Sequence, residues 1–136
     1  MAEELDAETL AFAHRMFDAA REGNTELLAG NVDAGLPVNL TNDKGDTLLL
    51  LAAYYDHPAT VSALVSRGAD VNRVNDRGQT PLAAAVFRRS SASVETLLAA
   101  GADPQAGGPS ALDTARFFDI PEMLALLEGQ VGDPRS

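Results

Sequence analysis

The sequence contains no cysteine and a single lysine, and only seven of its 136 residues are aromatic. Without cysteine, the chain can form no disulfide, no thiolate nucleophile and no cysteine-ligated metal site. No apolar run is long enough to cross a bilayer, and the first twenty residues begin with acids, unlike a secretory signal. We therefore expect a cytoplasmic protein that neither spans nor enters a membrane.

Basic residues are also scarce, since 10 lysines and arginines stand against 20 acids and give a formal charge of -10. A chain this acidic repels polyanions unless a local basic patch overrides its field, so nucleic acid and anionic membranes are not expected as partners. With 46% apolar residues, a chain of 136 residues can bury about two-thirds of its unfolded surface in one domain. Disorder is therefore not expected.

One complete supersecondary unit lies in residues 76 to 103. It begins with a turn in which Gly78 can adopt a positive φ. Thr80 can then cap a short helix whose first residue is Pro81, where the missing N–H costs nothing. The pattern predicts that this helix is followed by a second one and that Gly101 ends the unit in the left-handed conformation.

The second helix of this unit follows a break at Ser90 and Ser91, which offer new caps. Val94, Leu97 and Leu98 give it an apolar stripe at helical spacing. The unit therefore contains a turn, two helices and a second turn.

The same plan occurs once more, 33 residues earlier in the chain. Seven positions recur at this offset: Gly45, Thr47, Ala52, Val61, Leu64, Gly68 and Asp70 precede Gly78, Thr80, Ala85, Val94, Leu97, Gly101 and Asp103. A fixed period of this length is the signature of a stacked-repeat protein. The pattern Gly-x-Thr-Pro-Leu followed by Val-x-x-Leu-Leu-x-x-Gly-Ala-Asp resembles the ankyrin repeat. Nine arginines to one lysine, with abundant alanine, favour a small bacterial member of that family.

The resemblance implies an all-α fold, a solenoid of about four helix-turn-helix repeats with short β-hairpin fingers. We predict one domain over residues 1–128, with a C-terminal tail at 129–136 that begins where Gly129 ends the last helix. The repeats are expected at about 9–42, 43–75, 76–105 and 106–128. The first is degenerate and serves as an end cap, with Leu10, Ala13, Phe17 and Ala20 at helical spacing behind the acids Glu3, Glu4, Asp6 and Glu8.

The family also carries a histidine near the start of the first helix that ties neighbouring turns together. No repeat keeps it here, because Leu50, Ala83 and Asp113 occupy that position. This departure from the family pattern predicts that the repeats cohere through apolar packing, around small residues such as Ala52 and Ala85, more than the resemblance implies. His57 instead matches the family's histidine between the two helices, and we interpret it as satisfied by backbone groups.

Few residues could support catalysis. Asp56 with His57 could be half of an acid-base pair, and Ser90 or Ser91 a nucleophile, but the structural readings of these residues are preferred. His14 is expected to lie on an outer helix in solvent. The carboxylate pairs Asp43 with Asp46 and Asp70 with Asp76 fall at turns, where aspartate bonds its own backbone, and Gly107-Gly108 is read as a tight turn. We therefore predict no enzyme, no catalytic residue, no metal site and no cofactor.

Five of the seven aromatic residues fall at one place in the repeat. In ankyrin repeats the two residues after the Ala-Ala pair face the concave groove, and here they are Arg21-Glu22, Tyr54-Tyr55, Phe87-Arg88 and Phe117-Phe118. Aromatic side chains are over-represented at binding hot spots because they present a large area at little entropic cost. We expect about half of these rings to pack under a neighbouring repeat and two or three to form an exposed contact strip.

Charge is uneven along the chain, since residues 1–66 hold eleven acids and three bases, whereas 67–136 hold nine and seven. A basic segment would be steered to the first two repeats, and an acidic side chain could pair with the arginines of the third. A solvated acidic face kept for solubility explains the N-terminal acids equally well.

We predict that the protein is a monomeric, non-catalytic protein-protein interaction module that binds a protein partner. The partner-binding residues are expected on the concave face and at the finger tips: Tyr54, Tyr55, Phe87, Arg88 and Phe117, together with Lys44, Asp46, Arg77 and Gln79. The alternative is a regulatory or inhibitory subunit of a specific enzyme.

Overall fold

The computed structural model describes residues 7–131, which form eight helices and no regular strand. The helices are α1 (Ala7–Glu22), α2 (Thr25–Asp33), α3 (Leu48–Tyr54), α4 (Pro58–Val65), α5 (Pro81–Phe87), α6 (Ser91–Ala99), α7 (Ala111–Phe117) and α8 (Pro121–Val131). Consecutive helices pack as four pairs. The odd-numbered helices stack as an inner row and the even-numbered helices as an outer row, which confirms the predicted all-α solenoid.

The inner helices begin with the same cap in three pairs. The hydroxyls of Thr47, Thr80 and Ser110 accept the backbone N–H three residues later at 3.0, 3.1 and 3.0 Å. Each bond satisfies one of the donors that a helix start leaves unpaired. This local chemistry explains why the threonine or serine recurs with the repeat.

The finger turns are held by an asparagine at equivalent positions. Asn42 Oδ1 accepts the N–H groups of Lys44 and Asp46 at 2.9 and 3.0 Å, and Asn75 Oδ1 accepts those of Arg77 and Gln79 at 3.0 and 2.9 Å. The fingers are tight turns in which isolated bridges, Thr41 with Thr47 and Gly107 with Ser110, take the place of longer strands.

Successive fingers are joined through their backbones. Asp76 N–H donates to Lys44 O and Gly108 N–H donates to Gly78 O, both at 3.0 Å. A Cβ added at Gly78 would lie 2.8 Å from Gly108 O, and its φ is 80°. Only glycine therefore allows the last finger to approach this closely.

The core lies between the two rows of helices. Leu64 and Leu97, the predicted buried leucines of the outer helices, are 0% exposed. Gly68 and Gly101 have φ of 89° and 96°, so the predicted left-handed conformation at the end of α4 and of α6 is confirmed.

Leu10 shares the helical spacing of Ala13, Phe17 and Ala20 in α1, but unlike the buried Phe17 and Ala20 it is 42% exposed. One sequence-based expectation for α8 is wrong. Gly129 was expected to end the last helix, but it has no positive φ and α8 runs on to Val131. The repeat boundaries stay a prediction, and residues 1–6 and 132–136, including Glu3, Glu4 and Asp6, lie outside the described residues.

Within each pair, the chain turns from the inner to the outer helix through one residue in the left-handed conformation. These residues are Gly23, Asp56, Arg89 and Asp119, with φ of 76°, 66°, 59° and 54°. Non-glycine residues at such angles cost about 1–2 kcal/mol each relative to the right-handed region. At Gly23 glycine is also required by space, because a Cβ there would lie 2.5 Å from the His57 ring.

Candidate protein-binding groove

Five aromatic side chains stand at the C-terminal ends of the inner helices. Tyr54, Phe87 and Phe117 are the last residues of α3, α5 and α7, and Tyr55 and Phe118 are the C-caps of α3 and α7. All five are exposed, from 37% for Tyr54 to 82% for Phe117. The expectation that about half of these rings would be buried between repeats is therefore wrong.

The five rings touch in one continuous row, which we call the ring row. The Tyr55 and Tyr54 centroids are 5.4 Å apart, and Tyr54 lies nearly parallel to Phe87 at 6.3 Å. Phe87 meets Phe118 edge-on at 5.5 Å, and Phe118 meets Phe117 at 4.9 Å. Offset and edge-to-face arrangements at these distances are the favourable geometries for aromatic pairs, so the rings hold one another in place.

The residues that follow α5 and α7 pack against the ring that ends the preceding inner helix. The Arg88 guanidinium lies over the Tyr54 ring at 5.4 Å, and Arg88 Nε donates to the Tyr54 carbonyl. Phe118, at the equivalent place in the next pair, packs against Phe87 in the same manner. Phe118 is therefore the ring that continues the row, while Phe117 protrudes beside it.

Sequence reasoning placed Phe118 at the groove but left it out of the predicted binding residues. The signal was its equivalence to Arg88, which was included. The stacking of one helix pair on the next decides which of Phe117 and Phe118 contacts Phe87. The sequence pattern does not specify this stacking.

A depression of about 460 Å³ lies beside the ring row, between α1 and the finger turns, and we call it the polar pocket. It gathers the predicted finger residues with two of the predicted rings: Lys44, Asp46, Arg77, Gln79, Tyr54 and Tyr55. From α1 it is lined by His14, Asp18 and Arg21. His14 was expected on an outer helix; it is exposed, but α1 belongs to the inner row.

A second depression, of about 200 Å³, opens along the ring row itself, and we call it the apolar pocket. Its walls are the rings of Tyr54, Phe87 and Phe118, and α5 contributes Ala83 and Ala84, which are 8% and 7% exposed. Pro109, Thr114 and Gln79 complete the lining. Tyr54 and Gln79 border both pockets, so the two depressions are neighbours in one groove.

The predicted finger residues serve different purposes. Asp46 is only 6% exposed, and its two oxygens accept hydrogen bonds from Asn75 Nδ2 at 2.8 Å and Asn42 Nδ2 at 3.2 Å. Its carboxylate therefore stabilises the fingers, and a buried charge with partners of this kind is costly to disturb. Lys44 and Arg77 are exposed, and Arg77 makes one side-chain contact, to Gln79 Oε1 at 3.3 Å.

His57 and Asp70, two of the side chains weighed for catalysis, have structural partners. The His57 ring donates Nε2–H to the Arg21 carbonyl at 2.7 Å, as expected for a loop histidine satisfied by backbone. Asp70 Oδ1 accepts the Asn72 N–H at 3.0 Å within its turn. Within residues 7–131, no cluster of three or more histidine or acidic side chains has the geometry of a metal site. In the same range, no helix has both the length and the apolarity needed to cross a membrane.

Comparison with known proteins agrees with this architecture. A protein of Pseudomonas aeruginosa named as an ankyrin repeat protein, PA3287, is 53% identical over 58 residues, which are 43% of this chain and 34% of that protein. The crystal structure of the human ASB11 ankyrin repeat domain superposes with a TM-score of 0.77 at 30% identity, covering 87% of this chain and 54% of that one. The chain therefore spans about a third and about half of the lengths of these two relatives.

Residues 16–107 match the sequence model of ankyrin repeats in three copies, which is more than half of the chain. Ankyrin repeats are generally protein-protein interaction modules and are typically non-catalytic. The helix pairs, the capped inner helices and this match together show that the chain belongs to the ankyrin-repeat family.

Proposed function

We propose that the protein is a non-catalytic interaction module that binds a segment of a protein partner along its concave groove, from the finger turns across the ring row. The observation that carries this proposal is the row of five exposed rings in mutual contact. An exposed cluster of large apolar side chains on a soluble domain marks an interaction surface more often than an accident of folding.

The ring row is distinct from the core. The helices bury their leucines and alanines between the rows, and none of the five rings belongs to that buried set. The rings instead occupy the helix ends, where neighbouring rings restrict their motion. Such a surface loses little conformational freedom on binding, which favours affinity.

The groove chemistry favours a segment that is apolar at its centre and charged at its edges. The rings offer apolar area in the middle, while Arg77 and Lys44 lie toward the fingers and Arg88 covers one face of Tyr54. Central contacts of this kind mainly slow dissociation, whereas edge charges mainly change the association rate and its salt dependence.

The test compares groove variants with a matched variant outside the groove. A partner is first captured with the parent protein, identified and purified, and its binding to Tyr54→Ala, Phe87→Ala and Phe118→Ala is then measured. Each should weaken binding by about 1–3 kcal/mol without a matching loss of thermal stability. Leu27→Ala is the control. Leu27 lies on α2, outside the groove, and its exposed fraction of 41% matches that of Tyr55. Equal binding by all four variants would contradict the proposal.

A further inference from the structure

The two pockets of the groove differ in chemistry while sharing Tyr54 and Gln79 at their border. The apolar pocket is walled by three rings and two alanines. The polar pocket is lined by charged side chains of α1 and of the fingers, together with Phe17, Leu50 and Leu51 at its base. A single segment that crosses Tyr54 therefore contacts both pockets and meets two separate chemical requirements.

The apolar pocket has room for one side chain. Its volume of about 200 Å³ lies below the range of roughly 300–1,000 Å³ of sites that hold drug-sized ligands. Alanines at Ala83 and Ala84 leave the space open, and the rings around it offer faces and edges to an apolar occupant. A leucine or phenylalanine side chain meets these conditions.

Two cations of the polar pocket, Lys44 and Arg77, are exposed and form no ion pair within the described residues. Of the pocket's acids, Asp18 is bonded to Arg21 at 3.0 Å, and Asp46 is held by Asn42 and Asn75. Asp43 is the remaining exposed acid, beside the two exposed cations Lys44 and Arg77.

The groove therefore contrasts with the rest of this chain of formal charge -10. Three cations line the polar pocket against three acids, namely Arg21, Lys44 and Arg77 against Asp18, Asp43 and Asp46, so its lining carries no net charge. At contact distance the nearest charges outweigh the screened field of distant ones, so the local balance decides which side chain is accepted.

We infer that the partner segment inserts one large apolar side chain between Tyr54, Phe87 and Phe118 and places a carboxylate against Lys44 and Arg77 in the neighbouring pocket. This inference rests on the proposed function and specifies its partner. The apolar side chain supplies the anchor, and the carboxylate fixes the register of the segment along the groove.

The experiment starts from a random peptide library displayed on phage and selected against the purified protein. Enriched peptides should share one large apolar residue with an aspartate or glutamate a few residues away. A synthetic peptide of that sequence is then titrated by calorimetry against the parent protein and against variants of each pocket.

Ala84→Leu fills the apolar pocket and should weaken the peptide at least about tenfold, close to the effect of one lost hot-spot contact. Because Ala84 is buried, Phe118→Ala serves as a second variant that removes an exposed wall and should have a similar effect. Arg77→Glu should also weaken binding about tenfold at low salt, and a peptide with lysine in place of its acid should recover binding to that variant. The matched control is Arg73→Glu, an exposed charge reversal in the same segment but outside both pockets, which should change affinity by less than about twofold.

The outcomes separate this inference from the proposed function. Peptides that need Phe87 and Ala84 but carry a basic residue beside the apolar one would overturn the carboxylate and leave the groove intact as a binding site. Peptides that bind Arg77→Glu and Arg73→Glu equally well would do the same. A selection without any peptide that depends on Phe87 or Phe118 would overturn both the inference and the proposed function.

Discussion

The first interface of the stack, between α1–α2 and α3–α4, is crossed by several side-chain contacts. His57 reaches the Arg21 carbonyl at 2.7 Å, the hydroxyls of Thr25 and Thr60 are 2.6 Å apart, and Arg67 Nε donates to Asp33 at 2.9 Å. The last interface, between α5–α6 and α7–α8, is different. Its finger bond runs between backbones, from Gly108 to Gly78, and the equivalent of His57 is Ile120, which is 1% exposed.

This difference shows how the chain compensates for the missing family histidine. At the first interface another histidine supplies a directional bond, which fixes the register of one pair on the next. At the last interface an apolar side chain occupies the same place, with Met123 and Leu127 buried behind it at 1% and 0% exposed. The hydrophobic effect is non-directional, so burial alone does not fix how one pair is positioned on the next. At the last interface this register therefore depends on the close contact of the fingers.

The largest expected effect tests whether the first and the last interface depend on one hydrophobic core. Leu64→Ala and Leu97→Ala should each lower the free energy of unfolding by about 2–5 kcal/mol, because each removes a fully buried side chain and leaves a cavity. Urea denaturation measures both. Asp103→Ala, which removes only a turn contact to the Gln105 N–H, should cost clearly less. A Leu97→Ala protein that melts within about a degree of the parent would show that the core assignment is wrong.

The next largest effect is expected from a variant that weakens only the last interface. Gly78→Ala adds left-handed strain and pushes its Cβ to 2.8 Å from Gly108 O, so the finger bond is lost as well. We expect a cost of about 2–3 kcal/mol, with faster amide exchange in α7 and α8 than in α1 and α2.

The control for Gly78→Ala is Gly101→Ala. Gly101 has φ of 96° but open space around the position of a Cβ, so only strain of about 1 kcal/mol is added. Equal costs for the two variants would mean that the close approach of the fingers contributes nothing.

A smaller effect is expected from a variant that weakens the first interface. His57→Ala removes the bond to the Arg21 carbonyl and should cost about 1–2 kcal/mol, since that acceptor loses its side-chain partner. Amide exchange should rise in α1 and α2 and stay unchanged in α7 and α8. His14→Ala, at an exposed histidine of α1, should leave stability unchanged. Exchange that rises along the whole stack would show that the two interfaces are not separable.

The smallest effect concerns the ion pair of the first interface. The hydrogen bond from Arg67, followed by its positive charge, lowers the pKa of the Asp33 carboxyl below its ordinary value. A lowered folded-state pKa means that the contribution is present above the unfolded pKa and is lost as the pH falls through the folded one. NMR titration should show the Asp33 pKa rising toward its ordinary value in Arg67→Gln. An unchanged titration would mean that the pair does not form in solution.

Much of the fold was predictable because its determinants are local. Thr47, Thr80 and Ser110 each bond a backbone group three residues away, and Gly68 and Gly101 take a conformation that suits glycine, so the repeated sequence pattern carried these features directly. The His57 contact was also predictable, because the family position implied a backbone partner.

The features that were missed depend on neighbours. Phe118 is less exposed than Phe117 because it rests on Phe87 of the preceding pair. Gly129 stays helical, so a glycine by itself does not end a helix. The left-handed Asp56, Arg89 and Asp119 escaped notice for a related reason, since the sequence pattern marks such positions only when they are glycine.

The placement of the two tyrosines has an optical consequence. The chain has no tryptophan, and Tyr54 and Tyr55 are its only tyrosines. Both border the polar pocket, and their ring centroids are 5.4 Å apart. Since phenylalanine emits weakly, the intrinsic fluorescence of this chain arises from one place in the groove. The intensity of this emission and its quenching by small solutes therefore report on the groove without any label. Structural changes far from the two tyrosines leave the emission unchanged.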